Sequence, residues 1–251
     1  MRERAAVAAW RAGLAVVLLG GWQYAAKVGA IDPFFLSRPS DIAERVWMWV
    51  SSGILWRHLA ITLEESVLGL VIGGVLGVAT GFALARSPFA ARVLEPYIMM
   101  LNAVPRVVLA PLFLLWFGLG IWSKVALAVT LVFFVMFFSA YQGVREASRV
   151  IIDNVRMLGA TERQLVRHVL FPSALTWIFS SLQVSLGFAM VGAVVGEYLG
   201  ATRGLGYMIS QAEGTFDTTG VFAGMFVLSM VVVTASAGVL RLERWLLRWK
   251  G

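Results

Sequence analysis

The sequence predicts an all-α membrane protein with six transmembrane helices, and three observations carry that prediction. Hydrophobic residues make up 59% of the 251 and charged residues only 14%, with a mean hydropathy of +0.81. That is too little polar surface to coat a soluble globule of this size. The charges are clustered, which leaves residues 66–85, 107–123, 125–144, 169–196 and 218–240 free of Asp, Glu, Lys and Arg. Most of these runs reach the roughly 20 residues that a bilayer-crossing helix requires. Finally, Lys and Arg alternate in density from one connection to the next, as the positive-inside rule demands.

Taken in order, the spans are expected at about 7–28, 60–85, 97–117, 123–144, 174–197 and 219–241 of a single domain covering 1–251. The first is interrupted only by Arg11, whose long stem can carry its charge to the interface, and it reads as an uncleaved span rather than a signal peptide. Residues 29–59 form an outer connection in which Pro39-Ser40-Asp41, Glu44 and the apolar series Ile42, Val46 and Trp49 predict a capped amphipathic helix on the membrane surface. In the second span Gly69, Gly73, Gly77 and Gly81 recur every four residues, and Gly192 and Gly196 repeat the device in the fifth. Such strips let helices approach closely, within one subunit or at a dimer seam. The outer loop after the fifth span carries Gly204-Leu205-Gly206 and Glu213-Gly214, predicting a short helix between glycine hinges.

With this topology fourteen Lys and Arg residues fall on one side, among them Arg86, Arg92, Arg145, Arg149 and the terminal Arg2, Arg4, Arg241, Arg244, Arg248 and Lys250. Six fall on the other: Lys27, Arg38, Arg45, Arg57, Lys124 and Arg203. Both termini are therefore expected in the cytoplasm. Tryptophans agree: Trp10, Trp177, Trp245 and Trp249 gather near the inner boundary and Trp22, Trp47, Trp49, Trp56, Trp116 and Trp122 near the outer one. The net charge of +7 is thereby explained by topology, and nucleic acid is not an expected partner.

Several chemistries are excluded. The chain has no cysteine, and its two histidines, His58 and His168, belong to opposite faces, so no disulfide, metal or haem centre is expected. No Gly-x-x-x-x-Gly-Lys-Ser/Thr loop is present, so the chain does not itself hydrolyse ATP by that route and energy must come from a partner or a gradient; neither His-Glu-x-x-His nor Gly-x-Ser-x-Gly occurs. The chain is not expected to be an enzyme or to hold a cofactor.

Two segments carry functional expectations. In the inner connection 145–173, Gly159 is placed to close one helix in the left-handed conformation, and Thr161 with Gln164 forms a capping box that opens another. Met157, Leu158 and Ala160 then sit at the bend, rimmed by Arg156, Glu162 and Arg163. An amphipathic interfacial helix without a partner is the plainer reading of the same pattern. The third span holds Asn102, Pro105, Arg106 and Pro111 in an otherwise apolar stretch. Prolines free backbone carbonyls, which membranes tolerate only beside protein or water, and an arginine at a span centre costs about 2.5 to 3.5 kcal/mol. This helix is expected to line a translocation path. Arg106 either attracts an anion, pairs with Glu65 or Glu197, or reaches an interface. Glu197, at the outer end of the fifth span, is a candidate gate or partner contact.

The spacing Asp153-Asn154-Val155, three residues, Gly159, nine residues, Val169-Leu170-Phe171-Pro172 resembles the EAA loop of ABC importer permeases. Asp153 takes the acidic position, since Glu146-Ala147 is out of register by seven residues, and Asn154 and Val155 depart from the motif. Beyond residue 33 the chain is similar to the permeases for aliphatic sulfonates, taurine, nitrate and thiamine-precursor pyrimidines. The likeness is carried by Ala103-Val104-Pro105-Arg106-Val107-Val108-Leu109-Ala110-Pro111-Leu112 with Trp116-Phe117-Gly118, by Gly196-Glu197-Tyr198 with Gly204-Leu205-Gly206, and by Leu242-Glu243-Arg244 with Trp245. The resemblance implies a type I importer permease fold in a bacterial or archaeal inner membrane, with a coupling helix formed by Asp153, Arg156–Glu162 and Pro172. It implies as partners a dimer of cytoplasmic ABC ATPases, a second permease, expected to be an identical copy, and an extracytoplasmic solute-binding protein. A gradient-driven secondary transporter is the alternative.

Overall fold

The computed structural model describes residues 2–32 and 34–246, without the side chains of 2–5, 8 and 242–246. Trp249, Arg248 and Lys250 lie outside the described residues, as do the side chains of Arg2, Arg4, Arg244 and Trp245. The described residues are almost entirely helical. In chain order the helices are α1 (Arg2–Lys27), α2 (Pro39–Ser51), α3 (Ile54–Ala85), α4 (Pro88–Ala103), α5 (Ala110–Phe117), α6 (Ile121–Arg145), α7 (Arg149–Met157), α8 (Glu162–Leu165), α9 (Phe171–Gly200), α10 (Leu205–Gly214) and α11 (Thr218–Leu246). Among the described residues, four stretches are long and apolar enough to cross a membrane: α3, α6, Glu162–Gly200 and Thr218–Arg241. Counting the bent pair formed by α4 with Arg106–Phe117 as one span gives five.

The bundle is built around α6, clasped between α3 and α9. A Cβ on Gly73 would lie 2.9 Å from the Val129 carbonyl oxygen, and one on Gly69, Gly77 or Gly81 would overlap Ala128, Phe133 or Phe137. On the other side Gly192 meets the backbone of Ala128 and Gly196 the stem of Lys124. The glycine strips are thus filled by α6 of the same chain. They bring helix axes close enough for backbone-to-backbone dispersion, which replaces the hydrophobic drive that lipid removes. Val132, Met136 and Ala189 form the core where the three helices meet.

Three segments depart from expectation. The stretch 97–117 is not one helix: α4 begins at Pro88, ends at Ala103, and meets the following segment at 77°. Pro105 cannot donate its backbone nitrogen, and it drives Val104 into an extended conformation (ψ 127°), so the helix cannot continue. A 3-10 turn over Arg106–Leu109 leads into α5. The amphipathic helix α2 starts with Pro39, and its own side chains do not cap it. Instead Gln23 of α1 accepts from the Ser40 amide at 3.1 Å. Nor does α2 lie free: Val46, Trp49 and Val50 pack with Leu55, Leu205, Met208 and Val227 of α3, α10 and α11, and Arg45 pairs with Asp217. Finally, the hinge after α10 is Phe216 (φ 56°) rather than Gly214, whereas Gly204 (φ 111°) is the hinge before it.

Candidate functional site

The 145–173 connection folds into a helix, a bend and a second helix. The C-terminus of α7 closes with bonds from Gly159 N to Arg156 O (2.9 Å) and from Ala160 N to Val155 O (3.2 Å). These are the two bonds of a Schellman motif, which requires the left-handed backbone found at Gly159 (φ 80°). The Thr161 hydroxyl accepts from Gln164 N, while Gln164 Oε1 accepts from Thr161 N at 2.8 Å, completing a capping box at α8. A turn of π-helix, Val166–Leu170, joins α8 to α9. Pro172 explains it, since its ring has no N–H for the His168 carbonyl and would crowd that oxygen in a regular helix.

The inner face of this hairpin is anchored. Ile152, Val155 and Val166 pack on Val144, Ala147, Leu165, Leu170 and Ala174. Its tip is the opposite: Met157 is 85% exposed and Leu158 86%. Burying one such side chain stabilises by about 1.5 to 3 kcal/mol, so the tip offers two unrealised contributions side by side. Asp153 and Gly159 are exposed and Ala160 is half-buried. Arg156 and Glu162 pair across the bend at 2.9 Å, a solvated contact that contributes shape more than stability.

The broken segment holds Asn102, Pro105 and Arg106 together. Arg106 Nη2 donates to the Asn102 carbonyl (2.9 Å) and to its side-chain oxygen. The guanidinium thereby satisfies a carbonyl that the break at Pro105 leaves without its helical donor. The same guanidinium lies over the ring of Phe134 at 4.5 Å, midway along α6, a favourable contact away from water. Among the described residues it has no acidic partner, and the pairing with Glu65 or Glu197 is not made.

Those two acids serve another centre, at the end of α3, α6 and α9 away from the α7–α8 hairpin. Glu65, Lys124 and Glu197 are all at most 3% exposed. Glu197 Oε1 accepts from Thr62 Oγ1 (2.6 Å) and Oε2 from the Gly206 amide (2.7 Å). Thr62 Oγ1 in turn accepts from Leu205 N (2.9 Å), and His58 Nδ1 from Gly204 N (3.0 Å). Lys124 Nζ donates to the carbonyls of Leu119 and Gly120, and its charge acts on both Glu65 and Glu197. A side chain at Gly204 would occupy the space of the Glu197 carboxylate. The Gly196-Glu197-Tyr198 and Gly204-Leu205-Gly206 motifs are therefore two halves of one clamp, which ties the α10 turn to the bundle. Glu197 is enclosed and does not present the outward contact expected of it. Sequence reading missed Thr62, Lys124 and Glu65 as its companions. A signal was present, in that a lysine and acids within otherwise apolar stretches are kept from lipid by gathering in the protein interior.

Residues 69–250 match the family described as binding-protein-dependent transport system inner membrane component. The chain belongs to that family. It is a permease subunit of an ABC importer, a class that works with an ATPase and a solute-binding protein. The formylaminopyrimidine transport permease ThiX of Halalkalibacterium halodurans is 34% identical over 235 residues, 94% of this chain and 93% of ThiX. The putative aliphatic sulfonates permease SsuC of Bacillus subtilis is 32% identical over 243 residues, 96% of this chain and 88% of SsuC. In fold the permease is similar to a chain of the inward-facing MetNI methionine ABC transporter, with a TM-score of 0.67 at 21% identity, covering 76% of this chain and 94% of that one. The family and the apolar helices make it a multi-pass protein of a bacterial inner membrane.

Proposed function

We propose that the permease works as a six-span subunit, with α1 as its first span and both termini cytoplasmic, paired with an identical copy and driven by a separate ATPase dimer. The α7–α8 hairpin is its coupling element. Met157, Leu158, Gly159, Ala160 and Thr161 enter a groove on the ATPase, Asp153, Arg156 and Glu162 line the rim, and Pro172 sets where the hairpin joins α9. ATP-driven closure of the ATPases moves the hairpin and switches the bundle between inward-facing and outward-facing states. The observation that carries this reading is the pair of exposed apolar side chains held at the tip by a left-handed glycine.

Asn102, Pro105 and Arg106 line the path, with Arg106 keeping an Nη1 amine for an anionic group. The solute is a small molecule of the kind the relatives carry: an anion such as a sulfonate, taurine or nitrate, or a thiamine-precursor pyrimidine. Glu197 acts at the outer end of the path by fixing the α10 turn.

Gly159→Asp tests the coupling role, because it places a charge and a strained backbone at the tip while touching no other residue. The variant is expected to insert normally and to lose co-purification with the ATPase. Undiminished co-purification would refute the assignment.

A further inference from the structure

Between α3, α4, α6 and α9, at the end of the bundle that carries the α7–α8 hairpin, lies a cavity of about 500 Å³, within the range of small-molecule sites. We propose that this cavity is a solute-binding station on the permease itself, built for a planar, amino-substituted nitrogen heterocycle. The inference rests on the permease reading above and narrows its solute. Three observations lead to it.

The walls are mostly aromatic and aliphatic, with Phe138, Tyr141, Trp177 and Ile98 among them. These offer flat apolar faces to a flat ligand, whereas a compact, fully hydrated ion gains nothing from them. Two charges of opposite sign also face the cavity, Glu95 from α4 and Arg145 from α6. They do not pair with each other among the described residues. Arg145 donates to the Tyr141 hydroxyl through Nη1 at 2.9 Å and stacks on that ring at 5.5 Å, which fixes the plane of its guanidinium and leaves Nη2 to donate. An amino heterocycle completes this pair: its exocyclic N–H groups donate to the carboxylate, and a ring nitrogen or carbonyl accepts from the guanidinium. A sulfonate or nitrate finds a partner in Arg145 but none for Glu95, which has no donor to accept from and repels the anion. The third observation is placement. Arg106 sits over Phe134, and Phe134, Phe138, Phe137 and Tyr141 follow one another in ring contacts of 5.2 to 6.3 Å. Phe134 to Tyr141 is seven residues, about 10 Å along the helix. The aromatic column thus joins the bend to the cavity.

The test uses the permease purified with its ATPase in nanodiscs, free of nucleotide and of the solute-binding protein. Equilibrium dialysis with radiolabelled 4-amino-2-methylpyrimidine should show saturable binding that Glu95→Gln and Arg145→Gln each weaken at least tenfold and Tyr141→Phe weakens less. Ethanesulfonate at the same concentration should neither bind nor compete. Absence of saturable pyrimidine binding, retention of full affinity in Glu95→Gln, or tighter binding of ethanesulfonate would each overturn the proposal. Because the ATPase must co-purify for the assay to exist, failure of the permease reading is seen separately, as loss of that association.

Discussion

Thr62→Val isolates the clamp at the end of the bundle away from the α7–α8 hairpin, since the two side chains have nearly the same shape and differ by the hydroxyl. Thr62 is wholly buried, donates to Glu197 Oε1 at 2.6 Å and accepts from the Leu205 amide at 2.9 Å. Valine leaves a buried carboxylate oxygen and a buried N–H without partners, and each such loss costs about 1 to 3 kcal/mol. The sum is about 4 kcal/mol, which for a chain of this length corresponds to roughly 8 to 16 °C in Tm. The ten tryptophans permit a fluorescence melt of the detergent-solubilised permease. Thr62→Ser, which keeps the hydroxyl, should recover most of the loss. A Thr62→Val melt within about 1 °C of the native protein, on the same scaling, would show that the clamp does not hold the α10 turn. Equal losses in the serine and valine variants would assign the effect to packing.

Three further outcomes are expected. Arg106→Gln should reduce solute uptake in reconstituted vesicles while leaving the solute-binding protein's affinity in solution unchanged; normal uptake would remove Arg106 from the path. Gly77→Val should abolish accumulation of the folded protein, because its Cβ would overlap the Phe133 carbonyl oxygen across the α3–α6 contact; near-native expression and melting would contradict that packing. For orientation, the absence of native cysteine gives a clean background. A cysteine at exposed Arg203 should react with a membrane-impermeant reagent in intact cells, and one at exposed Leu158 should not. Gly204 is unsuitable as a labelling site because its backbone is left-handed and Glu197 fills the space beside it.

Much of the permease was legible in one dimension because membranes impose simple rules. A bilayer demands long apolar runs, and the runs ending at Ala85, Val144 and Gly196 stop within four residues of the ends of α3, α6 and α9. The hairpin was legible for a local reason. A Schellman glycine and a capping box are contained within a few consecutive residues, so Gly159 and Thr161–Gln164 announce their geometry without help from the rest of the chain. Pro105 announced a disturbance, but its extent, a 77° break rather than a loosened helix, depended on what could satisfy the freed carbonyl. That was Arg106 reaching back to Asn102 while resting on Phe134, 28 residues further along.

What the sequence by itself determined is therefore the solvent, the places of α3, α6 and α9 and the shape of the α7–α8 hairpin, each governed by hydrophobic run length or by contacts a few residues apart. Only the tertiary structure decided that the glycine strips face α6 and that Glu65 and Glu197 belong with Lys124 rather than with Arg106. It also decided that two distant motifs close one clamp through Thr62. Those choices are made between helices, where the depth of each charge and the distance of closest approach select the partner, and no spacing along the chain encodes either quantity.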